Sequence, residues 1–117
     1  MRRCIVSCVL LIAISCTNTP SENNNTAIDE KLNGEEIFKN NCASCHKVKE
    51  NFVGPALQGV YARWSDKALL YEFIRNPQNV IDRNEYANKL HTKFGTMMTP
   101  FPYLSDEEIK TVLDYCN

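Results

Sequence analysis

Cys42-Ala43-Ser44-Cys45-His46 is the stretch on which the reading of this chain turns. The pattern is C-x-x-C-H, the attachment sequence for haem. On a helical turn two thiols three residues apart lie on one side, where each can add to a haem vinyl group and form a thioether. The next residue is then held under the iron. An imidazole nitrogen of His46 can bind the metal while its other ring N–H donates to a backbone carbonyl and fixes the tautomer. Three other chemistries use similar residues. A thioredoxin-like redox pair wants a preceding strand in a βαβ setting, whereas the residues before Cys42 read as helix. A structural zinc site needs four ligands, and Cys116 and His91 stand alone instead of forming a second pair at metal-binding spacing. A disulfide between Cys42 and Cys45 is sterically tight and leaves His46 without a role.

Upstream, residues 1–16 divide like an export signal: Met1-Arg2-Arg3 is basic, Cys4 to Ile14 is almost wholly apolar, and Ala13-Ile14-Ser15 offers small residues before Cys16. Removal of residues 1–15 is the expectation. Ala13-Ile14-Ser15-Cys16 also resembles a bacterial lipobox, with Ala13 where leucine is usual, so Cys16 is expected to become a lipidated first residue. Ordinary cleavage at the same bond is the alternative. Several acyl chains, at about 0.8 kcal/mol per buried CH₂, hold a protein on a membrane more firmly than one. Residues 16–32, with Thr17-Asn18-Thr19-Pro20-Ser21-Glu22-Asn23-Asn24-Asn25, have almost nothing to bury and read as a lipid-anchored flexible linker with a reach of about 20–25 Å.

The whole chain has 117 residues, 13 Lys and Arg against 14 Asp and Glu, and 44% apolar residues. That allows one small domain, residues 33–117. Scattered basic residues on a near-neutral chain argue against a nucleic-acid partner, which needs concentrated positive charge. Periodicity predicts an all-α fold of about four short helices. The last starts at the capping box Ser105-Asp106-Glu107-Glu108 and buries Ile109, Val112, Leu113 and Cys116. One spans about Asp66 to Arg75, with Ser65 as N-cap and Asn76-Pro77 as stop. Another spans about Asn84 to Phe94 and ends at Gly95. The first starts near Gly34, with Asn33 and Glu36 as a cap pair. Four short helices and a long loop between Lys47 and Trp64 make a thin core, which a non-protein group would fill.

From the motif outward the chain resembles the class I cytochrome c family, over nearly all of residues 33–117. Gly34, Phe38 and Cys42 fall at four-residue steps like that family's N-terminal helix, and Val112 and Tyr115 match its C-terminal helix. The resemblance implies that these two helices cross at the glycine, that one haem c is held covalently by Cys42 and Cys45, and that the chain carries single electrons and is not an enzyme. Gly54-Pro55-Ala56-Leu57 matches the family's Gly-Pro-x-Leu segment, which implies Pro55 as the carbonyl partner of His46.

A haem held by one histidine needs its other face explained, and a thioether there raises the potential and closes the site. Met97 and Met98 lie in Gly95-Thr96-Met97-Met98-Thr99-Pro100-Phe101-Pro102, a segment that its prolines hold extended. The family places its methionine ligand in such a loop before the capped last helix, which implies Met98, with Met97 packed on apolar neighbours. His91, beside Lys89 and Lys93, is the outside candidate and reads as a solvated histidine. Trp64, Arg63 and Tyr86 could supply donors to the haem carboxylates. Lys47, Lys49, Lys89 and Lys93 would form a docking rim for an acidic partner or simply a wet surface. The expected partners are redox proteins, a membrane oxidoreductase or terminal oxidase, met on the periplasmic side of a bacterial membrane. The alternatives are a haem subunit of a larger membrane oxidoreductase and a ligand-binding haem sensor.

Overall fold

The computed structural model describes residues 33–117, and every regular element among them is helical. The segment 1–15, the lipidation position Cys16 and the linker 16–32 lie outside the described residues. Helix α1 (Gly34–Ile37) begins where the Asn33 side chain accepts from the Glu35 N–H at 3.0 Å. Asn33 thus caps through Glu35 and not as a reciprocal pair with Glu36. The chain then winds on as a π-helical segment, Phe38–Cys42, closed by the Ala43 N–H donating to the Phe38 carbonyl at 2.9 Å. A wide turn of this kind re-aims the side chains that follow it, and it lies directly before the paired cysteines.

Five further helices follow: α2 (Val60–Arg63), α3 (Lys67–Arg75), α4 (Pro77–Ile81), α5 (Glu85–Phe94) and α6 (Asp106–Cys116). The all-α expectation holds, with two more short helices than the pattern predicted. Asp66, not Ser65, caps α3: its carboxylate accepts from the Ala68 N–H at 2.8 Å. Pro77 stops α3 as expected but also opens α4 at the first helical position, where a missing N–H costs nothing. Helix α5 is capped by Asn84 and ends on Gly95 in the left-handed region, φ +64°. The capping box of α6 is complete, and the N–H and hydroxyl of Ser105 hold the Glu108 carboxyl below its usual range. No helix among the described residues is long and apolar enough to cross a membrane.

Helices α1 and α6 cross at Gly34, where there is no room for a side chain. A Cβ on Gly34 would stand 2.5 Å from the Thr111 carbonyl oxygen and 2.8 Å from Tyr115 Cβ. Next to this contact the Phe38 and Tyr115 rings pack with centroids 5.8 Å apart. The stripe Ile109, Val112, Leu113 and Cys116 is buried beneath it, and burial pushes the Cys116 thiol up to about 12, as befits a small core residue. Gly34→Ala is expected to destabilise the fold by about 1–3 kcal/mol, because the neighbouring atom is backbone and cannot swing away. For a domain of this size that is a fall in melting temperature of about 5–20 °C, measurable by thermal unfolding.

Between α5 and α6, residues 95–104 cross the molecule as a strap. The Phe101 N–H donates to the Ile74 carbonyl at 3.1 Å, and Arg75 Nε donates to the Leu104 carbonyl at 2.8 Å while its guanidinium pairs with Asp106. Tyr103 reaches across to donate its hydroxyl to Asn41 Oδ1 at 2.7 Å. These bonds tie the methionine-bearing segment to α3 and to the turn before the cysteines.

Candidate functional site

The C-x-x-C-H motif sits on a helical turn, with the N–H groups of Cys45 and His46 both donating to the Cys42 carbonyl, at 3.1 and 2.8 Å. The loop that follows folds back beneath it. Gly54 N–H donates to the Cys45 carbonyl at 2.8 Å, Leu57 N–H to Lys47 at 3.1 Å and Gln58 N–H to Val48 at 2.8 Å. Arg63 clamps the far end, donating to the carbonyls of Gln58 and Ala56, each at 2.6 Å. The result is a cradle for one imidazole. A Cβ on Gly54 would lie 2.5 Å from His46 Cε1, so the ring rests on bare backbone.

His46 is buried, and its Nδ1 lies 2.8 Å from the Pro55 carbonyl oxygen. A carbonyl only accepts, so Nδ1 carries the proton and Nε2 keeps its lone pair. Burial holds the ring below the ordinary histidine value, against the opposing pull of that hydrogen bond. A neutral imidazole with its tautomer fixed is the form in which histidine binds a metal. Burial also pushes the Cys42 thiol up to about 11, and both Cys42 and Cys45 are unbridged. A dithiol redox catalyst would instead have its nucleophilic cysteine pulled down.

These groups open on a cavity of about 310 Å³. The motif, Gly54 and Pro55 border it, as do Leu90 and Phe94 of α5 and Met98 and Phe101 of the strap. An adjoining apolar pocket of about 60 Å³ extends it to Trp64, Leu70 and Ile74. Met98 borders both and packs against the core, whereas Met97 stands 39% exposed at the mouth instead of being buried among apolar neighbours. Two thiols, an imidazole seated for ligation and a thioether around one apolar cavity fit a covalently attached haem, whose thioethers and axial bonds need that donor set.

Cys42, Cys45, His46, Pro55 and Met98 therefore surround one space. Other expectations change. His91 is only half solvated: it borders the cavity, and its Nδ1 is buried without a hydrogen-bond partner. Trp64 is buried against Phe73 and Tyr86, with centroids 5.1 and 5.4 Å away. Lys47 is paired with Glu50 at 2.6 Å and Lys89 with Glu85 at 2.5 Å, both as exposed surface pairs, in line with the wet-surface alternative. Arg63, Tyr86, Lys89 and Lys93 instead line a separate open depression of about 290 Å³.

A family model described as Cytochrome c matches residues 32–117. Cytochrome c2 of Rhodopseudomonas palustris is 31% identical over 106 residues, covering 70% of this chain and 91% of that protein. Cytochrome c2 iso-1 of Magnetospirillum fulvum is 28% identical over 97 residues, covering 65% and 88%. Among solved structures, a cytochrome c from Rhodothermus marinus is similar at a TM-score of 0.61 and 35% identity, over 71% of this chain and 70% of that one.

Proposed function

Since the chain belongs to the cytochrome c family and carries electrons on one covalently attached haem c, we propose that Cys42 and Cys45 would form its two thioethers and that His46 and Met98 would hold its iron. The observation that carries this reading is the His46 ring, seated on Gly54 with its Nδ1 proton on Pro55, beside two unbridged thiols and the Met98 thioether around a single cavity. The bound group supplies an iron that cycles between ferrous and ferric states. The chain's own residues do the rest. The Pro55 carbonyl holds the imidazole in one orientation through both states. The strap, tied to Ile74 and to Asn41, keeps Met98 in place, so little has to reorganise when charge arrives or leaves. Leu90, Phe94 and Phe101 keep water away and stabilise the less charged state.

We read the protein as a carrier with no reaction of its own, working in a respiratory or related chain. Residues 1–15 are removed on export, Cys16 is lipidated, and residues 16–32 tether the domain to a bacterial membrane on its periplasmic face. Its partners are membrane oxidoreductases or a terminal oxidase. The test is expression of the full chain in a host that attaches haem. The product should gain the mass of one haem, titrate reversibly as a single one-electron couple and fractionate with membranes, while Cys16→Ala should be released into the soluble exported fraction. A colourless product with the mass of bare polypeptide would overturn the reading. Membrane retention of Cys16→Ala would remove the anchor from it.

A further inference from the structure

Met98 sits in a part of the strap that nothing pins directly. Among the described residues, the backbone of 96–100 makes no hydrogen bond to the rest of the protein. At one end of this stretch stands Gly95, in the left-handed region at φ +64° with open space where a side chain would point. At the other end the anchors fall on two sides. Phe101 N–H donates to the Ile74 carbonyl at 3.1 Å, and Arg75 Nε to the Leu104 carbonyl at 2.8 Å, so both of these lead to α3. Tyr103 points the opposite way, and its hydroxyl donates to Asn41 Oδ1 at 2.7 Å, one residue before Cys42. The amide of Asn41 is turned for this role: its Nδ2 donates to the Ile37 carbonyl at 3.0 Å, which leaves Oδ1 outward as the acceptor. The Tyr103 ring in turn stands edge-on to Phe101, with centroids 6.1 Å apart, and Phe101 borders the cavity as Met98 does.

We propose that Tyr103 is a positioning residue whose bond to Asn41 latches the strap shut, and that Gly95 and the α3 anchors are the hinge on which it lifts. The latch stands on the bonds just given; its consequence for the iron rests on the Met98 assignment above. Segments with few bonds and free ends open locally, at a cost far below that of global unfolding. With both sides tied, Phe101 cannot leave Ile74 unless the Tyr103 ring braced against it also moves, and that ring is held by Asn41. Without the hydroxyl the strap is tied on the α3 side alone. Met98 is then free to swing out more often, and a small molecule can take its place. One neutral surface hydrogen bond of this kind changes an opening equilibrium by about threefold to tenfold.

The experiment uses the full-length, haem-loaded ferric protein with imidazole as the probe. The red-end band that marks thioether ligation is followed as imidazole displaces Met98. At saturating imidazole the rate is set by how often the strap lifts. Tyr103→Phe and Asn41→Ala should each raise that limiting rate about threefold to tenfold. The double variant should do no more than either single, because both remove the same bond. Tyr115→Phe, which removes a hydroxyl from the α1–α6 crossing, should leave the rate unchanged. Amide exchange at Phe101 should quicken in Tyr103→Phe and Asn41→Ala, a readout that does not depend on the iron. Unchanged limiting rates and exchange in both single variants would overturn the latch. So would effects that multiply in the double variant, which would mean that the two side chains act separately, or an equal acceleration in Tyr115→Phe, which would mean general loosening. A wild type without the thioether band, in which the two substitutions still quicken Phe101 exchange, would sink the Met98 assignment and support the latch.

Discussion

Met98→Ala should abolish the red-end absorbance band of the ferric protein that marks thioether ligation, open the iron to carbon monoxide in the ferrous state, and lower the reduction potential. The argument starts from what could replace the thioether. Met97 is on the same strap but stands exposed at the mouth, while Met98 is turned against the core. The chain has one other histidine, His91, and it borders the cavity. It lacks what equips His46. A ligand imidazole needs an acceptor for its second nitrogen, which orients the ring and raises its basicity. His46 has the Pro55 carbonyl at 2.8 Å; His91 Nδ1 has no partner at all. His91 is also carried by a helix fixed at both ends, by Asn84 and Gly95, so bringing it to the iron would cost those caps. The position should therefore stay open. The loss of a soft thioether then lowers the potential, within the roughly 0.8 V range that axial ligands span. His91→Ala should leave the band intact. Survival of the band in Met98→Ala together with its loss in Met97→Ala would reassign the ligand.

What the sequence made legible follows from which forces act locally. Helices α5 and α6 could be bounded closely because their ends are chemical: Asn84 and Gly95 for one, the Ser105–Glu108 box for the other. Helices α2 and α4 are one turn each, too short for any period to show, and they exist because tertiary packing holds them. Ser65 and Asp66 are both good caps, and what separates them is the bond that the Asp66 carboxylate accepts from the Ala68 N–H. His91 was readable in principle. It falls in the stripe Ala87, Leu90, His91, Phe94, the i, i+3, i+4, i+7 face of α5, but its lysine neighbours suggested solvent. Charge pairing was legible as well: Glu50 and Glu85 stand three and four residues from Lys47 and Lys89, the spacing at which such side chains meet.

Gly54→Ala should damage the site more than any other glycine substitution in the chain, because it strikes the seat of the ligand imidazole. Gly54 has no positive φ, so the penalty is not conformational. It is steric: the new Cβ would lie 2.5 Å from His46 Cε1 and 3.0 Å from Nδ1 and Nε2. The backbone cannot easily withdraw, since the Gly54 N–H is bound to Cys45 and its carbonyl accepts from Phe52 at 2.9 Å. If it moves, those bonds go, at about 1 kcal/mol each. If the ring moves, the bond from Nδ1 to Pro55 goes and His46 leaves its orientation. Adding about 1–3 kcal/mol of overpacking gives a loss of roughly 2–4 kcal/mol, or about 10–25 °C in melting temperature. Gly95→Ala is the informative contrast. Its Cβ would meet nothing within 4 Å, and only its φ of +64° is unfavourable, a cost of about 1–2 kcal/mol. Both variants should melt early, but Gly54→Ala alone should show a perturbed ferric spectrum and a poor yield of haem-loaded protein. Equal spectra for the two would mean that the imidazole does not depend on the bare backbone beneath it.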